Sequence, residues 1–255
     1  MHTNLELEQI VLEWRPRLRS LAATYVGTDS AHDLNHLDRV WANARQIMTS
    51  TSDANGLVVL AACYLHDLIN LPKNHPDRAK ASTMSASEAI VQLTQLQYPA
   101  EYLADVAHAI EAHSHSAGIV PRSIEAKVVQ DADRLDALGA VGLARMFYIG
   151  GQLNRALAHD SDPLAMQRPV DDMLYSLDHI EQKLLRLPDT MQTQAGRALA
   201  MKRARLLVRF RDDFVSEWTG DFREQRAGAW SAYPGCPGTW HAAPPVRTAG
   251  QGITA

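Results

Sequence analysis

Residues 60–70 read LAACYLHDLIN, an apolar run that ends on the adjacent pair His66 and Asp67. Upstream it continues through Leu57, Val58 and Val59 and is apolar on nearly every side, the pattern of a helix buried at the centre of a bundle. An imidazole and a carboxylate at the end of such a helix are costly to bury unless a cation binds them. Both are ligands for divalent metals, imidazole suiting transition metals and carboxylate harder cations. Adjacent helical side chains point about 100° apart, so an ion lying between them needs further ligands from other helices. His36 in HLDRVWANA (36–44), and Asp131 and Asp133 in VVQDADRLDALGA (128–140), are available for that.

Outward from this run the helical spacing continues almost throughout, and no segment alternates as a strand bounded by turns, so the expected fold class is all-α. Leu5, Ile10, Leu12, Leu18 and Leu21 mark a first helix over 5–26, closed by Gly27. Leu37, Val40, Trp41, Ala44, Ile47 and Met48 give a second, 34–48, one apolar face. Asp53 is the expected cap of the third, 54–69. Pro72 and Pro76, with Lys73, Arg78 and Lys80, predict a loop over 70–80. Further helices are expected over 83–97, 100–114, 123–138, 140–149, 169–186 and 190–218, with Pro99, Pro121 and Gly150-Gly151 as boundaries. From Arg223 the composition turns to Gly, Pro, Ala and isolated Trp. The reading is one helical domain over 1–222 and an irregular C-terminal tail over 223–255, in which Trp230, Tyr233 and Trp240 are candidate anchors onto a groove.

A chain of 255 residues with 46% hydrophobic content buries a sizeable core. Its net charge of -4 and pI near 6.2 offer no general attraction for polymeric nucleic acid or an anionic membrane. The N-terminus MHTNLELEQIVLEW lacks the basic-then-apolar order of a secretory signal, and no run of about 18 apolar residues exists to span a bilayer. Two cysteines, Cys63 and Cys236, argue against a disulfide framework and suit a reducing cytoplasm, the expected location. Seven of the eleven histidines fall between His32 and His115, a clustering that points toward a metal or phosphate site, although a single His on an apolar helix is more often a hydrogen-bonded core residue.

His36 in H-x-x-R-V, the His66-Asp67 doublet and a distant acid in D-A-D-R-L together resemble the HD-domain superfamily of metal-dependent phosphohydrolases. The longer stretches DSAHDLNHLDRVWANA (29–44), LPKNHPDRAKAS (71–82), IEAHSHSAGIVP (110–121) and VVQDADRLDALGAVGLAR (128–145) are similar to one bacterial branch that includes nucleotide pyrophosphohydrolases. The resemblance covers roughly residues 20–215. It implies a single helical HD-domain bundle and one divalent metal ion (Mn, Co, Ni, Fe, Mg or Zn) held by His36, His66, Asp67 and Asp133. The implied substrate is a small phosphorylated molecule, a nucleotide, whose phosphoanhydride or phosphoester bond is cleaved by metal-activated water. A homodimer is an admissible assembly.

The fourth ligand has a competitor. On a helical wheel Asp131 joins the stripe of Ile124, Val128, Leu135 and Leu138, whereas Asp133 falls nearer Ala126, Val129 and Ala137, so periodicity favours Asp131 as the inward acid. The resemblance places the ligand at Asp133 and leaves Asp131 to hold a ligand or a basic residue. Without the upstream motif both acids would simply pair with Arg134 and Lys127.

Phosphate chemistry needs cationic donors. Lys73, His75 and Arg78 on the loop after the doublet are candidates, with Lys80 the one expected to be ordinary solvated surface. His113 is expected by resemblance to enter the pocket, and a second metal at His113 and His115 is less favoured than a hydrogen bond to substrate or water. His32 is expected to line the site or order His36, and Arg134 to face substrate. Related enzymes that cleave alarmones or nucleoside monophosphates carry an acid a few positions after the doublet. Leu68, Ile69, Asn70 and Leu71 stand there here, which counts against that arrangement. Asp136, Asp131 and Asp77 are the remaining candidates for proton transfer beside the ligand Asp67.

Two other classes compete. His32-Asp33-x-x-His36 mimics the H-E-x-x-H of zinc peptidases, but the acid is one methylene short and His32 follows the turn Gly27-Thr28-Asp29-Ser30 at or before the first helical turn. A nucleotide-binding regulatory protein with a silent metal site is the other, against which the intact ligand set argues.

Overall fold

The computed structural model describes residues 4–25, 33–51, 53–71, 75–114 and 116–220, and of 4–8 and 10 the backbone alone. The expected tail, with its three aromatics, and His32, Lys73 and His115 lie outside the described residues. Among those described are nine α-helices: α1 Asn4–Ala23, α2 Leu34–Met48, α3 Gly56–Leu65, α4 Ala81–Gln95, α5 Leu103–His113, α6 Ile124–Asp136, α7 Gly139–Gln152, α8 Asp178–Gln182 and α9 Gln194–Thr219. The pairing of extended backbone among them is a single bridge between Ala156 and Tyr175, so the all-α expectation is met.

α3 is the axis of the bundle. Every residue from Leu57 to Leu65 is at most 2% exposed, because α1, α2, α4, α5 and α6 all pack against it. Burial of each Leu there is worth about 1.5–3 kcal/mol. Its cap is Asn55, whose side chain accepts from the Leu57 amide at 3.0 Å. Asp53, the expected cap, stands too far upstream to reach the orphan amides of a helix that begins at Gly56. The helix also stops earlier than expected, at Leu65 rather than Ile69. The His66 ring bonds the Cys63 carbonyl at 3.0 Å, and Leu68 N turns back to Leu65 O in a tighter turn. The doublet therefore stands at the end of the buried helix, not inside it.

α2 matches its expected limits, with Leu37, Val40, Trp41, Ala44 and Ile47 buried. Asp33 caps it, accepting the His36 amide at 2.8 Å. α6, capped by Ser123, crosses α2, α3, α5 and α9. Asn43 donates to the Ala132 carbonyl at 3.0 Å, and Arg203 of α9 bridges Asn43 Oδ1 to the Leu135 carbonyl, both at 2.6 Å. The Leu135 carbonyl is one of the last four of α6, which lack an amide four residues on within the helix.

The expected helix over 169–186 is corrected. Residues 169–177 are irregular, and the chain forms only α8 and a 3-10 segment over 184–190. Asp171 Oδ1 accepts the amides of Met173 and Leu174, while buried Asp178 takes the Asp171 amide and both arms of Arg168. Carboxylates that capture nearby backbone N–H groups offer the chain an alternative to helix. Gly150-Gly151 does not end α7. Gly150 instead allows close packing, since a Cβ there would collide with the Ser176 hydroxyl.

Candidate metal centre

Four helix ends meet at one point: the first turn of α2 brings His36, the exit of α3 brings His66 and Asp67, the last residue of α5 is His113, and the last two turns of α6 carry Asp133 and Asp136. His36 Nε2 lies 3.5 Å from Asp133 Oδ1, and His66 Nε2 lies 3.9 Å from the same oxygen. Asp67 stands between two rings, with Oδ2 3.6 Å from His66 Nε2 and Oδ1 3.6 Å from His113 Nε2. The ring centroids of His36 and His66 are 5.5 Å apart, those of His66 and His113 4.7 Å. The rings form a buried floor. The carboxylates form a rim, the side chains of Asp67 and Asp133 being 23% and 30% exposed, so the centre opens to solvent on their side.

The donor set fits a divalent cation. One ligand atom each from His36, His66 and Asp67 lies within 4.8 Å of the others, and His66 Nε2 is buried in the cluster without a hydrogen-bond partner. A buried nitrogen lone pair facing carboxylate oxygens is costly without a cation to share. Burial pushes the His66 imidazole down to about 4, against the upward pull of Asp67 and Asp133, so it is neutral, as a ligand must be, at ordinary pH. Burial also lowers His113, but its hydrogen bond with Asp67 and the charges of Asp67 and Asp133 raise it overall.

The other expected site residues separate clearly. Asp131 is the inward acid that the wheel indicated, at 0% exposure, but it is turned to the start of α9. There it accepts from the Gln192 and Thr193 amides at 2.8 Å and the Thr193 hydroxyl at 2.7 Å. That arrangement corrects its proposed part in proton transfer, since both oxygens already hold N–H and O–H donors. Asp136 is corrected for the same reason. At 2% exposure its oxygens accept His36 Nδ1 at 2.8 Å, Arg39 Nε at 2.7 Å and Nη2 at 3.0 Å, and Arg145 Nη1. Burial opposes ionisation of Asp136, yet these partners hold its carboxyl well below the usual range.

Arg134, expected to face substrate, directs Nη1 to the Thr190 carbonyl at 2.6 Å. Arg78 donates to Asn70 Oδ1 at 2.9 Å and to the Leu71 carbonyl, so it braces the segment that leaves the doublet. His75 Nδ1 accepts the Asp77 amide at 3.1 Å, and Asp77 pairs with exposed Lys80. The peptidase alternative loses its geometry, because Asp33 is the extended N-cap of α2 and the acid of HDxxH is not within a helix. Sequence reading missed Arg145. The signal was there in Gly139 and Gly142: the first adopts φ 75° at the α6–α7 turn, and a Cβ at the second would collide with the Ala137 backbone.

A family model for the HD domain matches residues 33–138, the span that contains every residue of the cluster. The uncharacterised protein YpgQ of Bacillus subtilis (strain 168) is 35% identical over 185 residues, 71% of this chain and 82% of that protein. The crystal structure of Bacillus subtilis YpgQ in complex with ADP superposes with a TM-score of 0.63 at 32% identity, covering 81% of this chain and 96% of that one. An HD-superfamily hydrolase from Bacillus thuringiensis gives 0.63 at 30% identity, over 82% and 98%. Together with four helix ends that gather histidines and aspartates at one point, this extent of likeness establishes that the chain belongs to the HD-domain superfamily.

Proposed function

We propose that the chain is a divalent-metal-dependent phosphohydrolase that cleaves a phosphoanhydride or phosphoester bond of a small nucleotide. The observation that carries the reading is the buried His66 Nε2, aimed at Asp67 and Asp133 with no hydrogen-bond donor to meet it. His36, His66, Asp67 and Asp133 would hold one ion. Such an ion, when bound, supplies the positive charge that acidifies a water and polarises a phosphoryl oxygen. His113, its Nδ1 fixed by the Ile110 carbonyl at 2.6 Å, presents Nε2 beside Asp67 and can hold or give a proton at that atom. The open carboxylate rim gives a phosphate access while the imidazole floor excludes water from below. Nucleotide as substrate class is supported by the ADP held by YpgQ. Lys73, His75 and Arg78 remain the loop residues proposed to meet phosphate.

The test is a metal-reconstituted screen against nucleoside mono-, di- and triphosphates, with phosphate and pyrophosphate both detected. Pyrophosphate release from a triphosphate marks a pyrophosphohydrolase and phosphate release a phosphatase. No release with any of the six metals overturns the reading and favours a regulatory binding protein.

A further inference from the structure

The three imidazoles of the cluster are anchored by different kinds of acceptor. His66 and His113 each direct Nδ1 to the backbone carbonyl three residues earlier, Cys63 at 3.0 Å and Ile110 at 2.6 Å. His36 sits in the first turn of α2, where the carbonyl three residues earlier, Asp33 O, already receives its backbone amide. Its Nδ1 is met instead by a carboxylate from 100 positions later, Asp136 Oδ2 at 2.8 Å. Two guanidinium groups grip that carboxylate: Arg39, one turn along α2, and Arg145 of α7.

We propose that Asp136 is a positioning residue that fixes His36 in the Nδ1–H tautomer, with Arg39 and Arg145 locking the carboxylate, so that Nε2 of His36 is the ligating atom of the metal centre. This rests on the metal-centre reading above. A carboxylate flanked by two permanent cations only accepts hydrogen bonds, so the shared proton resides on the ring and the second nitrogen keeps its lone pair. A charged acceptor also strengthens electron donation from Nε2 more than a backbone carbonyl does. Through Arg145, α7 contributes to a centre for which it supplies no ligand. The left-handed Gly139 and the side-chain-free Gly142 allow α7 to fold back closely enough for that contact.

The test uses the full chain, stripped of metal by chelation and labelled with 15N at histidine. Long-range proton–nitrogen spectra of the wild type are expected to show Nδ1 protonated and Nε2 bare at His36, assigned by its loss in His36→Gln. In Asp136→Asn the amide oxygen turns to the guanidinium groups and the NH2 to the ring, so the tautomer reverses. Mn2+ binding by calorimetry then weakens roughly 10- to 100-fold, with the helical circular dichroism unchanged. Unaltered tautomer and Mn2+ affinity in Asp136→Asn overturn the proposal. So does an Nε2–H tautomer in the wild type, an outcome that needs no variant to fold. A wild type with the expected tautomer that binds no Mn2+ would instead sink the metal-centre reading and leave the hold of Asp136 on the ring intact.

Discussion

Asp131 and Asp133 stand two residues apart on α6 and live in opposite worlds. Asp131 is fully buried, yet the Gln192 and Thr193 amides and the Thr193 hydroxyl all donate to it. Asp133 is partly exposed, and its Oδ1 lies 3.5 Å from His36 Nε2 and 3.9 Å from His66 Nε2. The difference separates structure from chemistry: a carboxylate answered by donors within the chain is a fastening, and one set beside imidazole nitrogens is what the proposed metal centre would use.

The largest expected break of this contrast is on the cation side. His66→Ala or Asp67→Ala should abolish metal retention and hydrolysis while helical content stays near that of the wild type, as read by metal analysis, turnover and circular dichroism. Full metal occupancy and turnover in either variant would remove the centre altogether. Next comes the paired test on α6. Asp133→Asn should weaken metal binding strongly with little loss of stability. Asp131→Asn should leave metal affinity unchanged and cost about 1–3 kcal/mol in denaturant unfolding, because it replaces a charged acceptor by an amide facing N–H donors. The reverse ranking would make Asp131 the ligand.

A pH experiment sharpens the same contrast. His66 has a folded pKa of about 4, below the ordinary 6.5, so the unfolded chain takes up the proton first. The metal-free protein should keep this contribution above pH 6.5 and lose up to about 3 kcal/mol of it as pH falls to 4. The slope should shrink in His66→Gln, and equal slopes would show that the ring is not buried neutral. On the fastening side, a Cβ on Gly196 would collide with Asp131 and the Thr193 hydroxyl. Gly196→Ala should therefore cost about 1–3 kcal/mol through overpacking, with metal affinity untouched. The smallest effect is expected from Arg78→Ala, a few-fold loss in kcat/KM with metal content unchanged, since Arg78 braces the segment after the doublet; unchanged kinetics would return it to plain surface.

Much of this contrast was legible in the sequence, and the part that was not has a physical cause. The apolar period of residues 56–65 gave α3, and HLDRVWANA gave α2, because burial against several neighbours leaves a strong period. The helical wheel singled out Asp131 as inward, which it is, since an apolar stripe points to whatever packs against the helix, here α9. A partly exposed acid at a rim carries no apolar period, so hydrophobic spacing is blind to Asp133, and only the motif singled it out. Helix ends were harder. Asn55 rather than Asp53, and Leu65 rather than Ile69, are settled by a few local hydrogen bonds that the sequence pattern does not encode. The same holds for 169–177, where Asp171 and Asp178 draw backbone amides away from a helix.

One consequence follows from how α3 and α5 end. Both stop at the cluster, at Leu65 and His113, and the carboxyl-terminal pole of a helix carries roughly half a negative charge. With the end of α6 at Asp136, three such poles stand against the one amino-terminal pole of α2 that brings His36, so the helix ends lean the potential there negative before any carboxylate is counted. Of the four helix ends gathered there, only the start of α2 is of the kind that binds anions. On the proposed reading, that balance of poles favours an order of assembly in which the cation is held first and the anionic molecule second.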